Sequence, residues 1–232
     1  MKLGLVLPSF RLDADTALDT AARAEAAGLD GVFLYDHLFP MGQPERPAFP
    51  CLPLLAAVAV ETSRMALGAL VARVGVVPDA VLVNMHETLS RMAPGRLIAG
   101  LGTGDSKSKK ENDLFGLPFE PVPGRVAAMG RCARALRATG IPVWMAGMSE
   151  PVRALAATDA DALNVWGIPP EEVAAIVDAG DVAITWGGAP VSGDLRAHAS
   201  ALADAGATWC IYGPPSSVDW PAMVDRIAGA RP

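Results

Sequence analysis

The stretch KLGLVLPSFRLDADTALDTAARAEAAGLDGVFLY, residues 2–35, sets the pattern that the rest of the chain repeats. Residues 2–7 form a short apolar run and are predicted to be a strand. Residues 13–28 are rich in alanine and predict a helix, with Asp13 or Asp15 placed to cap it and Gly28 placed to end it. Residues 31–35 predict a second strand. Strand, helix and strand in this order form the crossover unit that joins parallel strands.

The same alternation continues to the C-terminus. Further strands are predicted at 65–72, 96–102, 142–147, 160–167, 181–188 and 207–213, and further helices at 49–63, 78–91, 124–140, 150–158, 170–179, 194–206 and 219–229. Eight strands, each followed by a helix, favour an α/β fold of the (β/α)8 TIM-barrel type. A doubly wound sheet stays open as the alternative, because alternation does not show closure. The units are short, so we expect one compact domain over residues 1–232 with shortened loop insertions.

Composition indicates an acidic protein with an aliphatic core. Hydrophobic residues make up 51% of the chain, aromatic residues only 6%, and the net charge is −6. Negative charge disfavours nucleic acid and anionic membrane surfaces as partners. The apolar runs are too short for a signal peptide or a membrane span. Cys51, Cys132 and Cys210 are odd in number and far apart, which is typical of reduced thiols, so we expect a cytoplasmic location.

Polar residues follow two of the predicted strands, at the end of a barrel where functional residues gather. Asp36 and His37 follow strand two, and Asp105 follows strand four in the motif GTGD. An imidazole and a carboxyl group are suited to proton transfer, so His37 and Asp105 are the candidate catalytic residues. No set of histidines and carboxylates has the spacing of metal ligands, and we expect no metal.

The glycines before Asp105 allow two interpretations. Gly100, Gly102 and Gly104 alternate, which matches neither the dinucleotide fingerprint nor the P-loop. They form either a flexible turn or a strand end where the backbone approaches a flat or bulky group closely. In the charged run DSKSKKE, residues 105–111, the three lysines Lys107, Lys109 and Lys110 are interpreted as solvated surface rather than as an anion-binding patch.

Residues 147–151, GMSEP, precede a predicted helix. The motif resembles a nucleophile elbow, but Pro151 replaces its last glycine, so a hydrolase that uses Ser149 is weakly supported. The free N–H groups at a helix start favour an anion site at 147–149 instead. Trp166 and Trp186 end two strands, where one of them is a candidate to border a flat ring.

In the order and spacing of its motifs, the chain resembles the bacterial luciferase-like family of flavin- and deazaflavin-dependent oxidoreductases. The motifs are GLVLPSF (4–10), AARAEAAGLDGVFLYDHLF (21–39), LGALVARVGVVPDAVLVNMHETLSRMAPGRLIAGLGTGD (67–105), FG (115–116), PVWMAG (142–147) and DALNVWG (161–167). The resemblance implies a TIM barrel that holds coenzyme F420, or FMN as the alternative, at its C-terminal mouth beside a small-molecule substrate.

The resemblance also implies roles for individual residues. The histidine that lies beside the deazaflavin and the substrate in F420 enzymes corresponds to His37, and the acid that exchanges a proton corresponds to Asp105, although glutamate is usual there. A non-proline cis peptide near the end of strand three corresponds to Leu70–Val71. Together with the strand-end positions above, the residues expected to contact the cofactor are Asp36, Leu70, Val71, Gly102, Thr103, Gly104, Gly147, Met148, Ser149, Asn164, Trp166 and Gly167.

Two departures from the family pattern bear on the substrate and the assembly. A tryptophan of the sugar-phosphate-oxidising members corresponds to Met41, which disfavours that substrate. The segments before strand five and after strand seven are short, which predicts a pocket that is open or is completed by a partner in a homodimer. The leading hypothesis is an F420-dependent oxidoreductase that transfers a hydride to or from a small organic substrate. The alternatives are an FMN-dependent luciferase-like monooxygenase and a non-catalytic flavin-binding protein of the same fold.

Overall fold

The computed structural model describes residues 1–180, 182–215 and 217–232, which form nine strands and nine helices. The strands are β1 (Lys2–Val6), β2 (Gly31–Leu34), β3 (Ala66–Ala69), β4 (Ala72–Arg73), β5 (Leu97–Gly102), β6 (Val143–Ala146), β7 (Ala162–Trp166), β8 (Ala183–Gly188) and β9 (Trp209–Tyr212). The helices are α1 (Asp15–Ala26), α2 (Cys51–Glu61), α3 (Asp79–Met92), α4 (Ser106–Leu114), α5 (Val122–Ala138), α6 (Glu150–Asp159), α7 (Pro170–Asp178), α8 (Leu195–Asp204) and α9 (Trp220–Ala228).

The strands form one closed parallel barrel. β1 pairs with β2 and β9, and the ring closes because β3 pairs with both β2 and β5. β3 and β4 occupy one position in the barrel, since both pair with β5 and only Leu70 and Val71 separate them. The barrel therefore has eight positions. The predicted TIM barrel is confirmed, and the doubly wound sheet is wrong.

Aromatic side chains fill the barrel below its mouth. The ring of Phe33 lies 5.4 Å from that of Trp144 and 5.7 Å from that of Trp209, and the two tryptophan rings are 5.4 Å apart. All three side chains are buried. Inward-facing residues of a TIM barrel pack in layers of this kind, so the open space lies at the C-terminal ends of the strands.

Local predictions differ from the structure at two helix starts. α1 begins after Ala14 without a side-chain cap, so neither Asp13 nor Asp15 has the predicted capping role, whereas Gly28 follows the helix at φ 81° as predicted. Lys107, Lys109 and Lys110 are exposed, as predicted, but the run 105–111 also starts a helix that was not predicted, α4, which buries Ser108, Glu111 and Asn112. The predicted strand 181–188 begins at Ala183, and residue 181 lies outside the described residues.

Candidate active site

A cavity of about 510 Å³ opens at the C-terminal mouth of the barrel. Most residues that the sequence placed in the site line it, namely Asp36, His37, Leu70, Val71, Gly102, Thr103, Gly104, Asp105, Gly147, Asn164 and Trp166. Phe10, Tyr35, Met41 and Arg73 complete much of the wall. The volume lies within the range of about 300–1,000 Å³ that is usual for small-molecule sites. A mainly apolar wall with a few polar groups is also typical of such sites.

His37 pairs with a buried carboxylate from α4. Its Nδ1 lies 3.2 Å from Oε1 and 3.3 Å from Oε2 of Glu111. The same carboxylate accepts hydrogen bonds from the backbone N–H of Leu38 at 3.0 Å and of Phe39 at 3.4 Å. The His37 side chain is 23% exposed and that of Glu111 only 3%. The carboxylate therefore holds the imidazole from behind and leaves its other edge accessible.

Arg73 neutralises this carboxylate and joins it to the end of strand β2. Its Nη2 lies 2.7 Å from Oε2 of Glu111, its Nη1 donates to Oδ1 of Asn112 at 3.1 Å, and its Nε donates to the backbone oxygen of Asp36 at 3.1 Å. The Arg73 side chain is 7% exposed. Buried charges are stabilised only when they are paired and hydrogen-bonded in this way.

The two carboxyl groups of the network differ in acidity. Burial raises the pKa of Asp36, although the backbone N–H of Arg73, 2.9 Å from Oδ2, and the charge of Arg73 oppose this. Burial also acts to raise the pKa of Glu111, but the hydrogen bond with His37 and the charge of Arg73 outweigh it, so the pKa is below its ordinary value. Glu111 is therefore ionised at neutral pH.

Asp105 lies at the cavity but uses its carboxylate as the N-cap of α4. Oδ1 accepts from the backbone N–H of Lys107 at 2.9 Å and of Ser108 at 3.0 Å, and from the Ser108 hydroxyl at 3.1 Å. Partial burial raises its pKa, but the hydrogen bonds from Ser108 and Lys107 bring the pKa below its ordinary value. Proton transfer by Asp105 stays a prediction, and the carboxylate that contacts His37 is that of Glu111.

Comparisons with known proteins agree with this fold and motif order. The family described as luciferase-like monooxygenase matches residues 1–138, more than half of the chain. The chain belongs to the luciferase-like monooxygenase family.

The curated proteins that are similar to this chain include two F420-dependent glucose-6-phosphate dehydrogenases. The protein from Kineococcus radiotolerans is 31% identical over 138 residues, which cover 59% of this chain and 40% of the relative. The protein from Nakamurella multipartita is 39% identical over 89 residues, which cover 38% of this chain and 26% of the relative. The chain thus spans less than half the length of the curated relatives it matches.

Solved structures share the barrel at lower sequence identity. An F420-dependent secondary alcohol dehydrogenase in complex with an F420-acetone adduct superposes with a TM-score of 0.81 at 15% identity, covering 99% of this chain and 97% of the other. The coenzyme F420-dependent tetrahydromethanopterin reductase from Methanopyrus kandleri gives a TM-score of 0.78 at 14% identity, covering 99% and 98%. At this identity the likeness concerns the fold alone.

Within the luciferase-like barrel, two of the alternating glycines allow close contact between neighbouring strands. A Cβ at Gly100 would lie 2.1 Å from the backbone oxygen of Ala69, and one at Gly102 would lie 2.4 Å from Cγ2 of Val71. The Leu70–Val71 peptide bond between β3 and β4 is cis, as the resemblance implies. Gly100 and Gly102 are thus needed because another group approaches the backbone closely, as the second interpretation of the sequence predicted. The group that approaches is the neighbouring strand.

Trp166 and Tyr35 form an aromatic corner of the cavity. Their ring centres are 5.8 Å apart with the planes at 68°, and Trp166 is 46% exposed. A Cβ at Gly187 would lie 2.6 Å from the Trp166 ring, and one at Gly213 would lie 2.2 Å from the Tyr35 hydroxyl. Only glycine at these two positions leaves room for the corner. Trp166 is therefore the strand-end tryptophan that can border a flat ring.

Several predicted residues lie elsewhere. Trp186 is buried, and its Nε1 donates to the backbone oxygen of Ile168, so this tryptophan does not border the cavity. Asn164 reaches the cavity but also donates to Oγ1 of Thr185 at 3.0 Å. Met148, Ser149 and Gly167 are exposed and lie outside the cavity lining.

Sequence reasoning missed Glu111, Asn112, Arg73 and Tyr35. The signal for the first two was the helical spacing of Ser108, Glu111 and Asn112, which places them on one buried face within a run that looks fully charged. Arg73 lies in a strand next to the cavity, where a charged residue is unusual. Tyr35 directly precedes Asp36, and its position at a strand end was the available signal.

No helix among the described residues is long and apolar enough to cross a bilayer, and no group of three or more histidines, cysteines or carboxylates in this part of the chain could hold a metal ion. His86 is fully buried, and its Nδ1 contacts the backbone oxygen of Leu82 at 2.8 Å. His198 packs against Trp186. Within the described part of the chain, His37 alone among the histidines lines the mouth cavity.

Proposed function

We propose that the protein is an F420-dependent oxidoreductase that transfers a hydride between the deazaflavin and a small organic substrate at the mouth of the barrel. The observation that carries this proposal is the pairing of His37 with the buried carboxylate of Glu111 at the edge of a cavity of about 510 Å³. Membership of the luciferase-like family supports a flavin-type cofactor. The names of the curated relatives favour F420 over FMN.

The residues of the cavity fit a flat, largely apolar ring system. Leu70 and Val71 provide an aliphatic surface and Trp166 an aromatic one, while Gly102 and Gly104 add backbone without side chains. When bound, the deazaflavin supplies the hydride chemistry, and the protein supplies orientation and electrostatics. These five residues are proposed to contact the ring.

The cofactor's phosphate is proposed to bind at the start of α6. Gly147 lines the cavity, and Met148 and Ser149 lead from it to the helix. Ser149 is the N-cap residue and makes no side-chain capping bond. Pro151 has no N–H, and the N–H groups of Val152 and Arg153 donate to the Ser149 carbonyl, so the backbone N–H of Glu150 is the donor of this turn that remains for a ligand among the described contacts. The positive end of the helix dipole favours an anion there.

His37 is proposed to hold or accept the proton that the substrate gains or loses. Glu111 is ionised, so a proton on Nδ1 of His37 is stabilised by the carboxylate at 3.2 Å. Nε2 is then the ring nitrogen that can exchange a proton with the substrate, and no described residue forms a hydrogen bond to it. A histidine fixed in one tautomer by a carboxylate is a common arrangement for a general base.

The substrate is proposed to be an unphosphorylated small molecule rather than glucose 6-phosphate. Arg73 is the cationic side chain of arginine or lysine type that lines the mouth cavity, and its donors are directed at Asp36, Glu111 and Asn112. The Arg73 side chain is 7% exposed and engaged with these residues, which disfavours a phosphate as its partner. Met41 stands where the sugar-phosphate-oxidising members carry tryptophan. Turnover of glucose 6-phosphate at a rate comparable to that of simple alcohols or ketones would contradict this proposal.

Titration of the purified protein with F420 and with FMN, followed by absorbance and fluorescence, tests the function. We expect F420 to bind in preference to FMN; tight FMN binding without F420 binding would instead favour the monooxygenase alternative. His37→Ala is expected to abolish turnover and to leave cofactor binding largely intact, with His198→Ala as the control outside the cavity. Unchanged turnover in His37→Ala would remove its proton-transfer role. A protein that binds cofactor but supports no reduction of it by any substrate would favour the non-catalytic alternative.

A homodimer and a cytoplasmic location complete the proposal, with the chain acting as one domain. α2 and α3 are neighbours on the outside of the barrel, and their exposed apolar side chains support an interface there. These side chains are Val60, Val81, Met85 and Met92, exposed by 73%, 44%, 37% and 44%. The three cysteines are free and buried, which suits a reducing compartment.

A further inference from the structure

We propose that Arg125, which lies outside the mouth cavity, is a positioning residue that fixes the wall of the cofactor site. Arg125 lies in the first turn of α5. Its Nη1 donates to the backbone oxygen of Thr103 and, at 2.7 Å, to that of Gly104, while its Nε donates to the backbone oxygen of Glu120 at 2.9 Å. One guanidinium group thus joins the loop after β5 to the segment before α5.

The orientation of this guanidinium is fixed on a second side. Its central carbon lies 4.1 Å from the centre of the Phe119 ring. A planar guanidinium that stacks on an aromatic ring and donates in its own plane has one preferred placement, which lysine cannot reproduce. Within the described residues, the carbonyls of Thr103 and Gly104 accept no backbone hydrogen bond. The hydroxyl of Thr103 donates to the Gly104 carbonyl at 3.4 Å, and the shorter contact, at 2.7 Å, comes from Arg125.

The loop that Arg125 holds separates two cavities. Thr103 and Gly104 line the mouth cavity on one side. On the other side the same two residues line a second cavity of about 140 Å³, together with Phe119 and Arg125. Arg125 therefore acts on the cofactor wall from behind, without itself being one of the residues that line the mouth cavity.

The same loop sets the start of α4 and, through it, the proposed catalytic pair. Gly104 has φ 69°, which favours glycine, and Asp105 follows as the N-cap of α4. α4 in turn carries Glu111, which holds His37. Loss of Arg125 is therefore expected to release the loop and to disturb both the ring contact at 102–104 and the His37–Glu111 geometry. This inference rests on the proposed function for its catalytic consequence, while its structural part is independent of it.

The test compares Arg125→Ala with Arg137→Ala. Arg137 lies on the same helix, donates to the backbone oxygen of Thr158 and pairs with Asp161, but is remote from the mouth. In cofactor-free protein, Arg125→Ala is expected to increase hydrogen exchange of amides 103–111, with the barrel core unchanged. Its affinity for F420 is expected to fall by about tenfold or more, since small displacements of a binding wall have effects of this size.

Rescue separates positioning from simple loss of stability. Millimolar guanidinium is expected to restore F420 affinity and exchange protection in Arg125→Ala, whereas equal concentrations of NaCl or urea are not. The proposal would be overturned if Arg125→Ala and Arg137→Ala differed by less than about twofold both in hydrogen exchange of amides 103–111 and in affinity for F420. It would also be overturned if Arg125→Ala increased this exchange but left the affinity for F420 unchanged. A wild-type protein that binds neither F420 nor FMN overturns the proposed function, while the exchange measurement still decides whether Arg125 fixes the loop.

Discussion

Glu111→Gln is the substitution that most directly tests the buried network. Glutamine keeps the shape of the side chain and one oxygen that can accept from the backbone N–H of Leu38, now 3.0 Å from Oε1. It removes the negative charge 2.7 Å from Nη2 of Arg73, whose side chain is only 7% exposed. The substitution therefore leaves a buried cation without its anionic partner.

The expected cost follows from that unpaired charge. Removing one member of a buried ion pair costs about 3–5 kcal/mol, and retention of the amide oxygen favours the lower end, about 3 kcal/mol. In a chain of this length about 1 kcal/mol corresponds to roughly 2–4 °C in Tm, so Tm is expected to fall by about 6–12 °C. Thermal unfolding followed by circular dichroism at neutral pH measures this directly.

Asp113→Asn is the matched control. It also removes one carboxylate from α4, but Asp113 is 56% exposed and pairs with Lys109 at 2.6 Å on the surface. An exposed pair of this kind contributes about 0.3–0.5 kcal/mol, so Tm should change by no more than about 2 °C. Equal losses of Tm in the two variants would refute the argument that Glu111 compensates a buried charge. Nitrogen chemical shifts of His37 should also show loss of its single tautomer in Glu111→Gln alone.

Three further predictions concern parts of the fold outside this network. Partial burial raises the pKa of Glu25, but hydrogen bonds from the backbone of 63–65 lower it from 4.5 to about 2. Because solvent screens this site, Glu25→Gln should lower the free energy of unfolding by only about 1 kcal/mol at neutral pH. The difference in unfolding free energy between variant and wild type should shrink as pH falls from about 4.5 towards 2, and a difference in urea unfolding that stays constant over this range would contradict the prediction. Gly100→Ala should cost about 1–3 kcal/mol because its Cβ would lie 2.1 Å from the Ala69 carbonyl, whereas Gly124→Ala in α5, with no neighbour closer than 3.5 Å, should be neutral or stabilising. Val60→Asp should shift the protein from dimer to monomer in sedimentation velocity, and a wild-type protein that is already monomeric would dismiss the α2–α3 interface.

The barrel was predictable because its signals are local and repeated. Each βα unit carries its own apolar run and its own helix start or end, such as Gly28 after α1. Parallel strands then have few ways to arrange themselves. The interruption at Leu70–Val71 was not visible in apolar periodicity, because 65–72 forms one unbroken apolar run. The resemblance to known barrels supplied that position, and the structure has the cis bond there.

Helix α4 was missed because its composition hides its buried face. Seven of the residues from Asp105 to Glu111 are polar or charged, and three of those are lysines, so the run looks like surface. Only Ser108, Glu111 and Asn112 turn inward. Such a face is recognisable only when another element brings a matching charge, and Arg73 is 38 positions away from Glu111 in the chain. Sequence patterns within one segment contain no information about that partner.

Asp105, which caps α4, and Glu111, which lies within it, illustrate how the strand-end rule selects a position without assigning its chemistry. Asp105 directly follows the strand end, but the first turn of a helix leaves N–H groups that a carboxylate at the N-cap satisfies, and Asp105 is used in this way. Glu111, less than two turns later, is brought back towards β2, where His37 and Arg73 share its oxygens. Because Arg73 balances its charge, Glu111 can stay ionised beside the imidazole without taking up a proton itself. A fixed, ionised carboxylate on one nitrogen leaves the other nitrogen to exchange protons with a ligand. The role of Asp105 in starting the helix therefore supports this chemistry whether or not Asp105 also transfers a proton, which stays a prediction.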